Sequence, residues 1–554
     1  MRVLQIAHGF PPDSIAGTEQ YCEALSRHLV RRGYECMVLA GSEQSAPEAT
    51  LATVDQDGLL VTRYLRAEGR ARSWTEEYDP EADEMARRVL ALVQPDIVHL
   101  HHWQRLTNNL VAICADLGIP VVVTLHDVWT SCPRVHRIRW DGEFCADPPA
   151  TAPCVTCAER GAWQGDQEIL GALALRREIV ELELALAAAI IVPSEAHRAF
   201  LLNLLALPED RLTVLPHGSI PRVAARRASG RGSGFGNRPL RIGHWGYLTY
   251  LKGVHLLLEA VHKLRDPSAA QVHLIGTPVD QGYEQRLRGL AQGIPVQFHG
   301  AYRPSDLEAL DLDMAVLPSI ASESYCFALD EALYLGLPVL VSDRGALPER
   351  IGGAGLTFRA GDAGDLARRL QEILDAPHVL DSMRRSIRVD SLFSMEAHVA
   401  MVEKIYEDAV HSKTPKRTPS MSYVKLITHG KQVIREREAA LRGLQQQLAQ
   451  AEQAMQEKEA LVQQAEQAMQ EKEALVQQAE QAMQEKDALV QKAEQAMQEK
   501  DALVHEQEAL VEQTRRALEL LQGDHANLRT TLLELRRTPL FKLQELLEKL
   551  SRRS

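Results

Sequence analysis

ESYCFALDEALYLGLPVLVSD, residues 323–343, is the stretch from which the fold can be read. Seven residues separate two glutamates, Glu323 and Glu331. The second is expected to begin a helix that ends near Gly336, and Pro338-Val-Leu-Val-Ser342 then reads as a short buried strand. Upstream, Met314-Ala-Val-Leu-Pro318 reads as another strand, which leaves Glu323 in the loop between them. A strand–loop–helix–strand unit of this kind puts both acids at the carboxyl edge of a parallel sheet, where open α/β sheets take their ligands. The helix N-terminus there offers free backbone N–H groups and a positive dipole end to a phosphate. Glu331 is expected to accept bonds from ribose hydroxyls and Glu323 to contact a sugar. Solvated surface acids are the plain alternative. The flanking Pro318-Ser319 and Gly336-Leu-Pro-Val339 favour the site.

Outward from this unit the same alternation repeats. Leu240–Trp245, Val272–Gly276 and Val296–Gly300 read as strands, and Val254–Leu264, Asp365–Leu374 and Ser394–Val410 as helices. Towards the N-terminus, Val3–Ala7, Glu35–Ala40, Pro95–Leu100, Pro120–Leu125 and Ala187–Pro193 are candidate strands. Thr18–Arg32 carries Tyr21, Leu25 and Leu29 at helical spacing. Near-continuous apolar strands alternating with helices predict parallel sheets covered on both faces. The expected fold class is α/β, two Rossmann-like domains facing a cleft, over residues 1–215 and 216–412. A Gly, Ser and Arg-rich stretch, 222–238, reads as a loop.

Residues 413–423 are rich in Lys, Pro, Thr and Ser and read as a linker. Beyond it AEQAMQEKEALVQQ begins at Ala451 and recurs with few changes at Ala465, Ala479 and Ala493. A period of two heptads predicts a long α-helical coiled coil over 424–537, with Ala454 and Leu461, and Met455 and Val462, along its seam. Such a rod would be about 150–170 Å long, broken near Gly523-Asp524. Residues 538–554 read as a terminal helix, with Thr538 as cap, Pro539 at its first position and Leu543, Leu546, Leu547 and Leu550 on one face. The rod predicts a homo-oligomer. The terminal helix, with Arg552 and Arg553, suits a partner helix or peripheral contact with a membrane surface.

The 554-residue chain has a net charge of −13, which argues against nucleic acid as a partner. Much of that charge lies in the repeats. The apolar run at the N-terminus ends at His8, too short for a secretory signal, and no other run approaches the roughly 18 residues of a membrane span. The expected location is cytoplasmic. Cys22, Cys36, Cys114 and Cys326 read as reduced core residues. Cys132, Cys145, Cys154 and Cys157 crowd into an insertion, 132–160. The Cys-x2-Cys pair is a ligand hairpin and four thiolates suit a structural zinc ion. Free thiols, an iron–sulfur cluster or a redox role are the alternatives, and His136 is a spare ligand candidate.

With these residues in view, the chain resembles glycosyltransferase family 4 over about residues 1–410. Phe10-Pro-Pro and Ala16-Gly-Thr-Glu19 are similar to the family's first loop, whose glycine pair is reduced here to Gly17. Val192-Pro-Ser194 and Leu215-Pro-His-Gly218 are similar to landmarks around the domain junction, with His217 where the family has Asn. Gly246-Tyr-Leu-Thr-Tyr-Leu-Lys-Gly253 resembles the family's Gly-Arg-Leu-x-x-x-Lys-Gly loop. Lys252 is kept, and Tyr247 replaces an arginine that grips the diphosphate. His126, in Leu125-His-Asp127, matches a histidine near the reacting centre, though a histidine closing a buried strand needs no such role.

The resemblance implies the two-domain GT-B fold and a retaining transferase. It would move sugar from a nucleotide-sugar donor to a glycan or lipid-linked acceptor, with no cofactor required for catalysis. It assigns His126, Glu323 and Lys252 to catalysis, and Gly17, Tyr247, Lys252, Ser324, Tyr325, Cys326 and Glu331 to the donor. The departures at Ala16 and Tyr247 leave two other readings: an epimerase of nucleotide sugars on the same fold, or a coiled-coil scaffold with a degenerate transferase domain.

Overall fold

The computed structural model describes residues 1–68, 74, 79–160, 164–220, 223, 235, 238–412, 437, 441, 443–458, 461–464 and 480–522. Residues 1–159 and 170–423 form one compact unit, and 160–169 with 424–554 a second.

The first unit contains two sheets. Strands β1 (Arg2–Ala7), β2 (Glu35–Ala46), β3 (Thr50–Gln56), β4 (Leu59–Ala67), β5 (Ile97–Leu100), β6 (Val121–Thr124), β7 (Ala189–Val192) and β8 (Leu212–Val214) build the first, in the order β3-β4-β2-β1-β5-β6-β7-β8. All its pairs are parallel except β3 with β4. β5 and β6 are buried at every position, as expected of strands covered on both faces. The β3–β4 hairpin was not anticipated, although its turn is written in the sequence. Asp57 and Gly58 take φ of 54° and 84°, the two left-handed residues of a tight hairpin turn.

Strands β9 (Leu240–Trp245), β10 (Ala270–Ile275), β11 (Val296–Gly300), β12 (Met314–Leu317), β13 (Val339–Ser342) and β14 (Gly355–Phe358) build the second sheet. It is parallel throughout, in the order β11-β10-β9-β12-β13-β14. The order reverses between β9 and β12, and it is at such a switch point that the loops leaving two neighbouring strands part to open a crevice. In the first sheet the same reversal falls between β1 and β5.

The last helix of this unit, Met395–His411, returns to the first sheet. Its Val399, Val402 and Tyr406 join the apolar cluster of Val3, Tyr21 and Val38. Gly218 makes this possible, because a Cβ there would lie 2.4 Å from the Met395 Cα. Elsewhere in the same junction Ser194 caps the helix Glu195–Leu202 by accepting from the His197 N–H at 3.1 Å.

Two expectations need correction. The helix after Glu323 spans Phe327–Tyr334, so Glu331 lies within it, not at its start. It begins early because Cys326 takes a left-handed φ of 77° and so acts as the N-cap. For the same reason Cys326 is a loop residue at a helix mouth, whereas Cys22, Cys36 and Cys114 are buried as expected.

In the second unit, residues 443–458, 461–464 and Glu480–Gln522 are helical. The 413–423 linker, much of the 222–238 loop and the terminal segment 538–554 lie outside the described residues. Among the described residues no helix is long and apolar enough to cross a membrane.

Candidate active site

The loops that leave β9 and β12 are fastened to each other. Tyr250–Lys252 is a single 3₁₀ turn, with Thr249 accepting from the Lys252 N–H at 3.3 Å. Gly253 follows at φ 66°, and a Cβ there would meet the Pro318 carbonyl at 1.9 Å. Only glycine serves at this point, since it must be left-handed and must touch the β12 exit. The Ile320 N–H then donates to the Leu251 carbonyl at 2.9 Å.

This fastening brings two predicted residues together. Lys252 Nζ lies 2.7 Å from Glu323 Oε1, which also accepts from Ser319 Oγ at 2.5 Å. Burial pushes the Glu323 carboxyl up, but the Lys252 charge and the hydrogen bonds from Lys252 and Ser319 outweigh it, and the group stays below the usual range. Burial lowers Lys252, yet the Glu323 charge lifts it to about 12. Both groups are therefore charged at neutral pH.

The loop continues through Ser324, Tyr325 and Cys326. Sequence reading missed the residue that holds it, Arg350. Its guanidinium lies 3.5 Å from the Tyr325 ring centroid. It donates to the Tyr325 carbonyl at 2.5 Å and the Cys326 carbonyl at 3.2 Å, and pairs with buried Asp330. Burial pushes the Cys326 thiol up to about 12 and the Tyr325 phenol up as well, so neither ionises. Ser324 Oγ donates to the His126 carbonyl on the opposite half. Glu331 is 4% exposed and accepts from the Trp245 indole N–H at 2.8 Å.

Across the cleft, the helix Gly17–Arg31 points its N-terminus at this loop. A Cβ on Gly17 would stand 3.7 Å from the Phe327 ring, so the N-termini of two helices face one another. Buried Glu19 fixes the approach. Its carboxylate accepts from Ser14 Oγ at 2.6 Å and the Ala16 N–H at 3.2 Å, and lies 3.3 Å from His8 Nε2. Burial opposes ionisation, but His8 and Ser14 bring the group down to about 2. Tyr247, 49% exposed, donates its hydroxyl to the Ile15 carbonyl at 2.9 Å, also across the cleft.

His126 is at the junction, but inside a chain of imidazoles. Its Nε2 lies 3.0 Å from His101 Nδ1, and its Nδ1 3.0 Å from His217 Nε2. His101 Nε2 reaches Gln5 Oε1 at 2.7 Å, and Tyr21 bonds His398 at 2.7 Å. Burial, and then neighbouring imidazoles, push His101, His126 and His217 well below the usual range, so the chain is neutral.

The four cysteines of the insertion are free and line one cavity of about 40 Å³, together with Arg134, Arg137 and Arg176. Among the described residues, no three His, Cys, Asp or Glu side chains are grouped closely enough to hold a metal ion. The thiols fit zinc in kind but do not stand as a closed ligand set.

The sequence model of Glycosyltransferase Family 4 matches residues 15–219, and that of Glycosyl transferases group 1 matches residues 239–376. The chain belongs to glycosyltransferase family 4. The transferase is 28% identical over 426 residues to the MMP alpha-(1->4)-mannosyltransferase of Mycolicibacterium hassiacum, covering 71% of this chain and 95% of the relative. It is 24% identical over 421 residues to the glycogen synthase of Mycobacterium tuberculosis, covering 70% and 89%. In fold, the transferase is similar to the sucrose-phosphate synthase of Thermosynechococcus elongatus, at TM-score 0.53 and 19% identity over 73% of this chain and 98% of that one. The alpha,alpha-trehalose-phosphate synthase of Burkholderia vietnamiensis gives TM-score 0.53 at 13% identity, over 74% and 97%. The fold is GT-B.

Proposed function

We propose that this transferase moves a hexosyl group with retention of configuration onto a glycan or lipid-linked acceptor, in cell-surface polysaccharide synthesis. The observation that carries the reading is the Lys252–Glu323 pair at the β9/β12 switch point, beside the N-terminus of the helix Phe327–Tyr334. The diphosphate lies between that terminus and the N-terminus of the Gly17–Arg31 helix, where two positive dipole ends and free N–H groups converge. Lys252 leaves Glu323 for the diphosphate as the donor enters. It then stabilises the charge that grows on the leaving phosphate, an interaction strongest in the transition state. Glu323, released, accepts from hydroxyls of the sugar. The backbone of Ser324, Tyr325 and Cys326 cradles the nucleotide under the hold of Arg350. Glu331 orients the ribose from beside Trp245, and His126 lines the reacting centre as a neutral group.

Three further assignments belong to this reading. The four thiols would have to draw together to hold a structural zinc ion, and metal analysis of anaerobically prepared protein that finds none ends that assignment. The repeats assemble copies through a coiled coil, and the terminal helix adds a peripheral membrane contact. Light scattering of a chain ending at residue 415 tests the assembly; an unchanged oligomeric state removes the repeats from that role.

The central test offers the purified protein UDP-, GDP-, ADP- and dTDP-sugars with a lipid-linked or oligosaccharide acceptor. Nucleotide release should accompany a product whose anomeric configuration matches the donor's. An inverted product overturns retention. Epimerised sugar without transfer, or no turnover and no binding of any donor, overturns the whole reading.

A further inference from the structure

The chain passes between the two halves twice, and the two passages are bonded to each other. The Ser219 N–H donates to the Phe393 carbonyl at 2.7 Å, and His398 Nδ1 donates to the Pro216 carbonyl at 2.8 Å. His217 is flanked by these bonded residues and is 2% exposed. Its ring stands 4.3 Å from the Tyr21 ring of the first half. It also stands 5.1 Å from the Tyr325 ring and lies within 15° of parallel to Phe327 at 6.0 Å, both in the second half. Tyr325 and Phe327 belong to the 324–327 turn, where the function proposed above seats the nucleotide.

The hydrogen bonds that end at His217 all run in one direction. Gln5 donates its amide N–H to the Tyr406 hydroxyl at 3.1 Å, which turns its oxygen towards His101. His101 Nε2 therefore carries the proton of the 2.7 Å bond to Gln5 Oε1. A neutral imidazole has one donor and one acceptor. So His101 Nδ1 accepts from His126 Nε2, and His126 Nδ1 accepts from His217 Nε2. The last nitrogen, His217 Nδ1, is buried without a partner among the described residues. Both ring nitrogens of His126 are taken up in this way, and the proton that His217 donates fixes its tautomer. What His126 extends to the second half is its carbonyl, which accepts from Ser324 Oγ. Two adjoining members of the imidazole chain thus hold the turn from across the cleft, His126 at Ser324 and His217 at Tyr325 and Phe327. Arg350 holds the same turn from its own half.

We propose that His217 is a positioning residue of the transfer reaction: it fixes the orientation of His126 and packs against the 324–327 turn, so that the two halves close in register over a bound nucleotide sugar. The proposal rests on the donor placement given above and assigns His217 no contact with substrate. Arg350 keeps the turn in shape on its own half. Losing His217 should therefore leave nucleotide binding intact and slow the step that needs both halves.

His217→Phe keeps a ring in place but cannot donate to His126, whereas His217→Gln can donate. Calorimetry finds which of UDP, GDP and ADP the wild type binds, and turnover is followed with the matching nucleotide sugar. In His217→Phe that diphosphate should bind within about two-fold of wild type while kcat falls about ten-fold. His217→Gln should recover part of kcat. Ser324→Ala frees the same turn from His126, so its cost should add little to that of His217→Phe. Thermal melting of each variant sets an assay temperature at which all are folded. Nitrogen–proton correlation spectra of the histidine rings read the tautomers directly. His101, His126 and His217 should each carry the proton on Nε2, and His126 should lose that restriction in His217→Phe. A proton on His126 Nδ1 in the wild type overturns the direction of the chain and the proposal with it. Unchanged kcat in His217→Phe, or an equal loss of diphosphate affinity, also overturns it and leaves the donor reading standing. If wild type binds none of the three diphosphates, the donor reading falls and this inference with it.

Discussion

The two sheets present opposite kinds of surface to the same cleft. The edge of the second sheet carries full charges in pairs, Lys252 with Glu323 and Arg350 with Asp330. The edge of the first carries neutral imidazoles, His101, His126 and His217, bonded end to end. Under the function proposed above, the difference follows from what each would do. A diphosphate needs a mobile cation and a fixed backbone cradle, so one pair is open to exchange and the other is locked. The junction beside it must stay closed without charge, because an unpaired buried ion is costly and a buried pair returns little. Hydrogen-bonded neutral rings meet that need, and they depend on pH.

The largest effect that would break this contrast is acid. The folded imidazoles lie below the unfolded value of about 6.5, with His398 and His197 at about 4. The unfolded chain therefore binds more protons below that value. The stability these groups supply is complete above about pH 6.5 and is lost as pH falls towards about 4. The urea midpoint should drop steeply over that window, and a flat profile would mean that the junction is not held neutral. Next is Arg350→Ala, which strands buried Asp330 and should cost about 3–5 kcal/mol of stability. Equilibrium unfolding reads this, and a loss under 1 kcal/mol would show that Asp330 rehydrates or protonates. Lys252→Ala should lower kcat about 10²–10³-fold, more than the fall in melting temperature from leaving Glu323 without its partner can explain. Unaltered kinetics would remove Lys252 from the mechanism. The smallest effect is that of Tyr247. Tyr247→Phe removes one half-open hydrogen bond across the cleft, about 0.5–1.5 kcal/mol at most, and should lower kcat/KM only a few-fold. Tyr247→Arg sharpens the same point. It adds a second cation to the lysine loop, and bare nucleoside diphosphate should bind more tightly.

Much of the second sheet was legible because its strands are short, apolar and punctuated by glycine or proline. Leu240–Trp245 and Val296–Gly300 fall where they were expected. The β3–β4 hairpin was missed although Asp57-Gly58 announces it; its strand β3 is largely exposed and lacks the apolar run that was sought. Of the site, Glu323 was read from its place in the loop after β12 and Lys252 from the resemblance, but that the two pair came only from the structure. The place of Glu331 was not legible, since the early start of its helix depends on the backbone of Cys326 and on Arg350 holding that turn. Nothing near Arg350 in the sequence ties it to Tyr325, and its partners lie twenty or more residues away. His126 was seen as an isolated histidine. Its bonds to His101 and His217 come from separate strands and loops, and no local period reveals them.

The sequence by itself determined the α/β alternation, the two halves and the family, because strand burial and glycine-dependent turns are local demands of the backbone. It also placed Glu323 at the carboxyl edge of the second sheet, and the resemblance singled out Lys252. Only the tertiary structure decided what faces that pair. The opposed helix N-termini and the imidazole chain are contacts between segments remote in sequence, and their energies exist only once the halves have packed.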